Sequence, residues 1–495
     1  MTVDPRTPVL VGAGVAHQRV DDPTAAVEAV ALMTAAAERA GIDAGAPRLL
    51  ADVGGVFVPR GTWRYPDPGR IVAERVGATA RTLVAELGVL QQTLFTRACL
   101  AIAEEGLDVA LVVGGEAKYR DLRARIGRVE LLDTGQPDGT VPDEIVAPAY
   151  EIMPKPERDA GMISAPLQYS VLETAIRAAR HESVPDNARA TAELWAAFSR
   201  VAANNSDAWR RDPINAAFLE HPPAANPMLA APYTKWHCSQ WNVDQAAAFV
   251  LCSTEAADRA GVAADRRVYP LAAVESNHMV PISRRALLHR APAVRAGADR
   301  LAELAGIDAS TADIIDLYSC FPAAVRIQAQ ELGLPLDQPD TRPLTVGGGM
   351  TFGGGPLNNA TFQALARMVE QLRADPGTIG LLTSISGMIT KHGMGLWSTA
   401  PSDRGFRFGD VSAVAEAKTP VLDVVGDFHG RARVDGYTVA HDHGEPRYAA
   451  VLARTDDDRR VVARCDDITL ASAMVADEWC GREIAVDGDR FSGAG

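Results

Sequence analysis

The sequence predicts a layered α/β protein built from two similar halves, with an insertion in the first half and a small all-β barrel at the C-terminus. Three observations predict it. Nearly continuous apolar runs such as Asp108–Gly114 and Ala246–Cys252 suit strands covered on both faces, because neither side of such a strand meets water. These runs alternate with helical patterns whose apolar residues recur at three and four, giving the βαβα order of a doubly wound layer. After Pro420 the period changes to two, with Asp-Gly and His-Gly-Glu turns, as in antiparallel sheet.

The first half opens on the strand Thr7–Ala16, followed by the Ala-rich helix Pro23–Ala40. Val53–Val58 is a second strand, Arg60–Arg70 a loop punctuated by Pro and Gly, and Thr82–Leu87 a third short apolar segment. Leu90–Glu105 reads as a helix with Leu94, Cys99 and Ile102 on its inner face. From about Tyr119 to His237 the pattern breaks: charges cluster in Lys118–Arg128, and two helices follow near Ser170–Arg180 and Ala188–Asn204. This stretch reads as an insertion before the closing strand Ala246–Cys252. The second half begins at Arg267–Val274, with helices Ala293–Ala305, Pro322–Glu331 and Ala360–Ala374 and strands Ile314–Leu317 and Ile379–Ser384. Pro401–Asp410 reads as a polar linker. Five strands then follow: Val421–Val425, Arg431–Thr438, Ala449–Arg454, Val461–Cys465 and Glu483–Val486, which suggests an OB-like barrel.

A chain of 495 residues, 47% hydrophobic, can bury sizeable cores and allows about three domains. Its net charge of −14 argues against nucleic acid or an anionic membrane as the main partner. The acids of the barrel, Asp456–Asp458 among them, argue the same way. Cys99, Cys238, Cys252, Cys320, Cys465 and Cys480 show no CxxC spacing, so no metal site is expected. Met1–Pro8 is short and polar, and no apolar run reaches the roughly 18 residues of a membrane span. The expectation is a cytoplasmic protein with reduced thiols.

Chemistry concentrates at three corners of the second half. Gly347–Ala360 is a glycine-rich loop running into a helix, Asp313–Val325 carries Tyr318-Ser319-Cys320-Phe321 between a strand and a helix, and Leu381–Ser398 carries Lys391-His392 after a Ser/Gly turn. No Gly-Lys-Ser/Thr follows the glycines, so the loop is not a P-loop. In sequence these corners read YSCF, GGGPLNNA and SGMITKH. They resemble, at matching places and in the same order, the HDCF motif, the GHP motif and the late TKH-type turn of the thiolase superfamily, nearest to sterol-carrier-protein-type thiolases and thiolase-like proteins. The resemblance covers about the first four hundred residues.

The resemblance implies a thiolase fold with two βαβαβαββ halves: residues 1–118 with 238–265, and residues 266–403. It makes 119–237 the loop domain that covers the active site, whose Arg and Lys residues would meet the phosphates of coenzyme A. It makes 411–495 an OB-like domain of the kind appended to some thiolase-like proteins. It implies coenzyme A or an acyl-CoA thioester as ligand, no tightly bound cofactor, a role in lipid or sterol metabolism, and a homodimer, with a monomer also open.

A thiolase uses a nucleophilic cysteine, a histidine that activates it, a second cysteine that moves the α-proton, and donors for the oxyanions. Family spacing from the strand Asp108–Gly114 puts the nucleophile at about Gly88, and Gly355 stands where GHP has its histidine. Loss of such a unit costs on the order of 10⁵-fold or more in rate, so thiolysis is expected to be absent. Cys320 remains where the family has its acid/base cysteine, with a buried structural thiol as the alternative. Tyr318 stands at the histidine of HDCF and could donate to an enolate or pack as an aromatic. His392 could hydrogen-bond a thioester carbonyl or act as a supporting residue. Gly353, Gly354, Gly355, Ser384, His237 and Cys238 are the candidate substrate and coenzyme A contacts. Tyr318, Cys320 and His392 are expected to line one pocket, wider than in a thiolase because Gly355 replaces an imidazole. Asn358 and Asn359 are expected to cap the following helix. The activity classes consistent with this set are a thioester-binding protein of the acetyl-CoA acetyltransferase type without thiolysis, and a thiolase-related aldolase acting on a CoA thioester.

Overall fold

The computed structural model describes residues 3–337 and 340–493, so the outermost residues of the ranges 1–118 and 411–495 lie outside the described residues. Two sheets sandwich a pair of helices. The first sheet has the order Pro8–Gln18, Asp244–Ser253, Val109–Ala117, Gly55–Pro59, Arg81–Ala85, Glu144–Val146. The second has the order Ile314–Asp316, Ile379–Ser386, Lys391–Ser398, Tyr269–Ser276, Arg407–Asp410. Every residue of Val109–Ala117 and of Asp244–Ser253 is buried, which is why each contains a nearly continuous apolar run.

The helices Gln91–Ala103 and Ala360–Ala374 lie between the sheets. Phe95 and Phe362, one from each, meet edge to face at 4.9 Å. Phe249 of the first sheet and Trp397 of the second close on the same Phe95 ring at 5.4 and 5.9 Å. This four-ring cluster fixes the spacing of the two halves, since large rings interlock rather than slide. The first half follows the expected βαβαβαββ order. The second lacks the third strand among the described residues: the segment near Leu344 stays irregular, held by Leu317 N–H donating to Leu344 O at 2.9 Å.

Three segments depart from the sequence reading. The supposed linker contains the strand Arg407–Asp410, parallel to Tyr269–Ser276 at the edge of the second sheet. With one aromatic in four residues it carries no readable period. The insertion is not a separate body. Its segment Glu144–Val146 extends the first sheet alongside Arg81–Ala85, and its strand Met228–Ala231 pairs with the C-terminal domain through Ala230–Ala440 and Ala231–Val439.

The C-terminal strands do close. His429–Asp442, Glu445–Arg454, Arg460–Cys465, Arg490–Gly493 and Glu483–Asp487 form a ring in that order, with the helix Ile468–Ala476 before the last two in sequence. That order, with one parallel pair and a helix after the third strand, is the OB-like topology. Arg490–Gly493 closes it, whereas the expected strand at Val421–Val425 is only a two-residue flank beside Arg460–Val461. The barrel is anchored to the insertion's helix Ala165–Ala179. Ser170 Oγ donates to Thr438 Oγ1 at 2.6 Å, Thr174 Oγ1 to Tyr437 O at 2.9 Å, and Arg177 pairs with Glu478 and Tyr437.

Candidate functional site

The helix Gln91–Ala103 begins where the resemblance puts the nucleophile. Gly88 has φ +97°, a conformation that side-chain-bearing residues rarely adopt, and a Cβ there would stand 3.1 Å from Pro148. Its carbonyl accepts from Lys391 Nζ at 2.7 Å and Ser386 Oγ at 3.0 Å. The first side chain of the helix is Gln91, whose Oε1 accepts from Thr361 N–H at 2.6 Å while Nε2 reaches the Tyr318 hydroxyl at 3.5 Å. An amide, neither nucleophile nor base, thus bridges the two central helices.

The glycine-rich loop folds back on the insertion and the first sheet. Gly353 O accepts from Trp209 N–H at 3.0 Å and from Gln245 Nε2 at 2.9 Å, and Gly355 N–H donates to Gln240 O at 3.0 Å. A Cβ on Gly355 would overlap Ser239 Oγ and stand 3.2 Å from Met350 O. The expectation of a wider pocket is thereby overturned: Ser239, just after the insertion, has filled the space. Asn359 sits at the N-cap of Ala360–Ala374 but makes no capping bond, and both its side-chain polar atoms are buried without partners. The expected cap is absent because Gln91 satisfies Thr361 N–H instead.

Cys320 and His392 occupy dry, packed positions. The Cys320 thiol faces Tyr169, whose ring stacks on Phe321 at 4.6 Å, and burial pushes the thiol up to about 12. His392 is 2% exposed; burial lowers it to about 3, its Nε2 lies 3.2 Å from Gln328 Oε1, and its Nδ1 has no partner. Gln328 in turn donates to Tyr318 O at 2.9 Å, and Thr383 Oγ1 accepts from Tyr318 N–H at 2.8 Å, so the imidazole supports the Tyr318 backbone through one amide. Ser384 Oγ accepts from Gln92 N–H at 3.4 Å. His237 Nδ1 lies 2.9 Å from Thr234 Oγ1, and burial lowers the ring to about 4. Cys238 Sγ is turned to Thr234 O at 3.3 Å, and burial raises its thiol.

A crevice opens between the glycine loop, the Asp316–Ser319 corner and the first turns of Ala360–Ala374. Tyr318, Gly353, Gly354 and Met350 line it; Cys320, His392, Gly355, Ser384, His237 and Cys238 do not. Its interior holds about 40 Å³, room for a small polar group. Sequence reasoning missed the polar residues that line it: Asp316, Asn205, Asp207, Gln363 and Arg367. Asp316 ends an apolar strand, and an isolated acid in such a run was the available signal. Its Oδ2 accepts from Val346 N–H at 2.9 Å and Thr345 Oγ1 at 3.0 Å, while burial pushes the carboxyl up to about 7. A carboxyl there can hold or release a proton near neutrality, as a general acid or base must.

Most basic residues of the insertion are already ion-paired: Arg120 with Asp133, Arg123 with Asp21, Arg177 with Glu478, Arg180 with Glu182 and Arg200 with Asp340. Arg210 and Lys235 have no ion pair among the described residues, and both lie over the Trp236 ring, at 4.5 and 5.6 Å. Arg19 lies over Trp209 at 5.1 Å. Among the described residues no group of three or more His, Cys, Asp or Glu could hold a metal, and no helix is long and apolar enough to cross a membrane.

Residues 412–490 match a family model described as the additional C-terminal domain of thiolase-like protein type 1. The fold is similar to that of a monomeric SCP2-thiolase-like protein type 1 from Mycobacterium smegmatis, 28% identical over 100% of both chains, with a TM-score of 0.84. It is also similar to an Ltp2-ChsH2(DUF35) aldolase, 16% identical over 80% of this chain and 98% of that one, TM-score 0.57. The dimeric peroxisomal thiolase of Saccharomyces cerevisiae is 14% identical over 80% and 98%, TM-score 0.56. None of the curated proteins matches the chain.

Proposed function

We propose, from the premise that this chain is a thiolase-like protein with an additional C-terminal domain, that it binds coenzyme A or an acyl-CoA thioester without thiolysis. One observation carries the reading. Glycine stands at both positions where the resemblance places a thiolase's nucleophile and base: Gly88 is left-handed, and a Cβ on Gly355 would meet Ser239 Oγ. An acyl-cysteine intermediate needs a thiolate beside a base, and the thiols of this region are pushed away from ionisation by burial. The unpaired cations Arg210, Lys235 and Arg19, set over Trp236 and Trp209, are the candidate contacts for nucleotide phosphates. The same reading takes in a cytoplasmic role in lipid or sterol metabolism.

The protein should be monomeric. Arg81–Ala85 is paired with Glu144–Val146 of the same chain, which leaves a strand of only three residues at that edge for a second copy to meet.

A second reading, a thiolase-related aldolase acting on a CoA thioester, is favoured by Tyr318 and Asp316. These are a phenol that burial holds protonated and a carboxyl that burial raises to about 7, lining one crevice without any thiol. Calorimetric titration with coenzyme A and acetyl-CoA, followed by turnover assays on a panel of acyl-CoA thioesters, tests both. Absence of binding rejects both. Binding without turnover supports the first, and C–C cleavage lost in Tyr318→Phe supports the second.

A further inference from the structure

We propose that the crevice at the start of the helix Ala360–Ala374 is a binding site for the carboxylate of a compact organic acid, held by Thr361, Gln363 and Arg367. The proposal does not depend on the coenzyme A reading. The crevice residues of this helix fall at 360, 361, 363, 364 and 367, one face of its first two turns. The leading N–H groups of a helix lack intrahelical acceptors and carry partial positive charge.

The helix terminus is not the whole case. Thr361 is 2% exposed and its Oγ1 has no partner. Gln363 Nε2 and Arg367 Nε are buried without partners on the same face. Buried polar groups are almost always satisfied. Three orphaned donors, on residues that line one crevice, call for an acceptor with several lone pairs. A carboxylate has that character.

The charge of the lining disfavours a dianion. Arg367 supplies one positive charge, already shared with Glu370. Asp207, 3.3 Å from His17, and Asp316 line the same crevice and would repel a dianion. Asp316 Oδ2 takes both of its bonds from Thr345 and Val346, which leaves Oδ1 to donate when the carboxyl is protonated. The small interior suits a carboxylate head with a short chain. Beside it, Trp209 N–H and Arg210 N–H donate to Gly353 O and Phe352 O, so the unpaired Arg210 and the Arg19–Trp209 pair stand next to the loop that forms its wall.

The test is calorimetric titration of the full-length protein with sodium acetate, propionate and succinate. Sodium chloride and inorganic phosphate at equal ionic strength serve as controls, and melting temperatures are recorded without ligand. The expected result is saturable one-to-one binding of a monocarboxylate, with phosphate and succinate weaker. Thr361→Val and Arg367→Met should each weaken it about tenfold or more, the scale of one lost hydrogen bond to a charged group. Arg367 is partly exposed, so Arg367→Met keeps the test if Thr361→Val fails to fold. No saturable binding, equal binding of chloride, a preference for phosphate, or unchanged affinity in folded Arg367→Met would overturn the assignment.

Discussion

Ser239 Oγ occupies the space that a Cβ on Gly355 would need. The residue just after the insertion and the residue that stands where the resemblance places a histidine are thus packed as one unit, and Cys320 O holds Ser239 in place by accepting from its N–H at 3.1 Å. Restoring the imidazole by Gly355→His should fail to restore thiolysis. It should also lower stability by about 1–3 kcal/mol, the usual range for overpacking. The checks are acetoacetyl-CoA cleavage, expected at background in wild type and variant, and a urea melt. Cleavage above background in the wild type would sink the reading.

Arg285 clamps a turn that the backbone resists. Gly387, Met388 and Ile389 all have positive φ, with Ile389 at +67°, which a β-branched residue seldom adopts. Arg285 is 2% exposed, and its Nη2 donates to Gly387 O at 2.9 Å and Met388 O at 2.5 Å while Nε donates to Val280 O at 3.2 Å. Arg285→Met should cost about 2–4 kcal/mol, because several carbonyls lose their donor at once. The turn leads directly into Lys391, so increased hydrogen exchange at Lys391 and His392 should accompany the loss. A stability change under about 0.5 kcal/mol would be that of an ordinary surface site.

The barrel and the helix Ala165–Ala179 should open together. Tyr437 is fully buried, accepts from Arg177 Nη2 and donates to Asp477 O at 2.8 Å. Tyr437→Phe should cost about 1–2 kcal/mol and loosen hydrogen exchange in both elements. Loosening confined to the barrel would show that the two are separate folding units.

Stability should depend on His237 and His392 in acid. Both are held neutral by burial, at about 4 and about 3, against the ordinary histidine value of 6.5. Below pH 6.5 the unfolded chain takes up protons that the folded chain refuses, so these groups remove stability as the pH falls toward 4. Asp316, raised to about 7, acts with the opposite sign over pH 4–7, because its folded state holds the proton more tightly. His392→Gln should therefore retain about 1–2 kcal/mol more of its neutral-pH stability at pH 5 than the wild type does. Parallel pH profiles for the two proteins would reject the assignment.

The sequence by itself determined the layered α/β core and the barrel, because both are written in local periodicity. Val109–Ala117 reads as a strand since each of its residues is covered, and Glu445–Arg454 and Arg460–Cys465 alternate or fill one small core. It also carried, through the resemblance, the expectation that Gly88 and Gly355 stand where a thiolase has its nucleophile and base. Tertiary structure decided the rest. Ser239 fills the gap at Gly355, Gln91 displaces the cap expected of Asn359, and Glu144–Val146 and Met228–Ala231 leave the insertion to join two different sheets. The crevice likewise gathers Tyr318, Asp316 and Arg367 while leaving Cys320 and His392 in dry packing. Each of these depends on residues distant in the chain, and a local pattern records which side of an element is apolar but not which partner covers it.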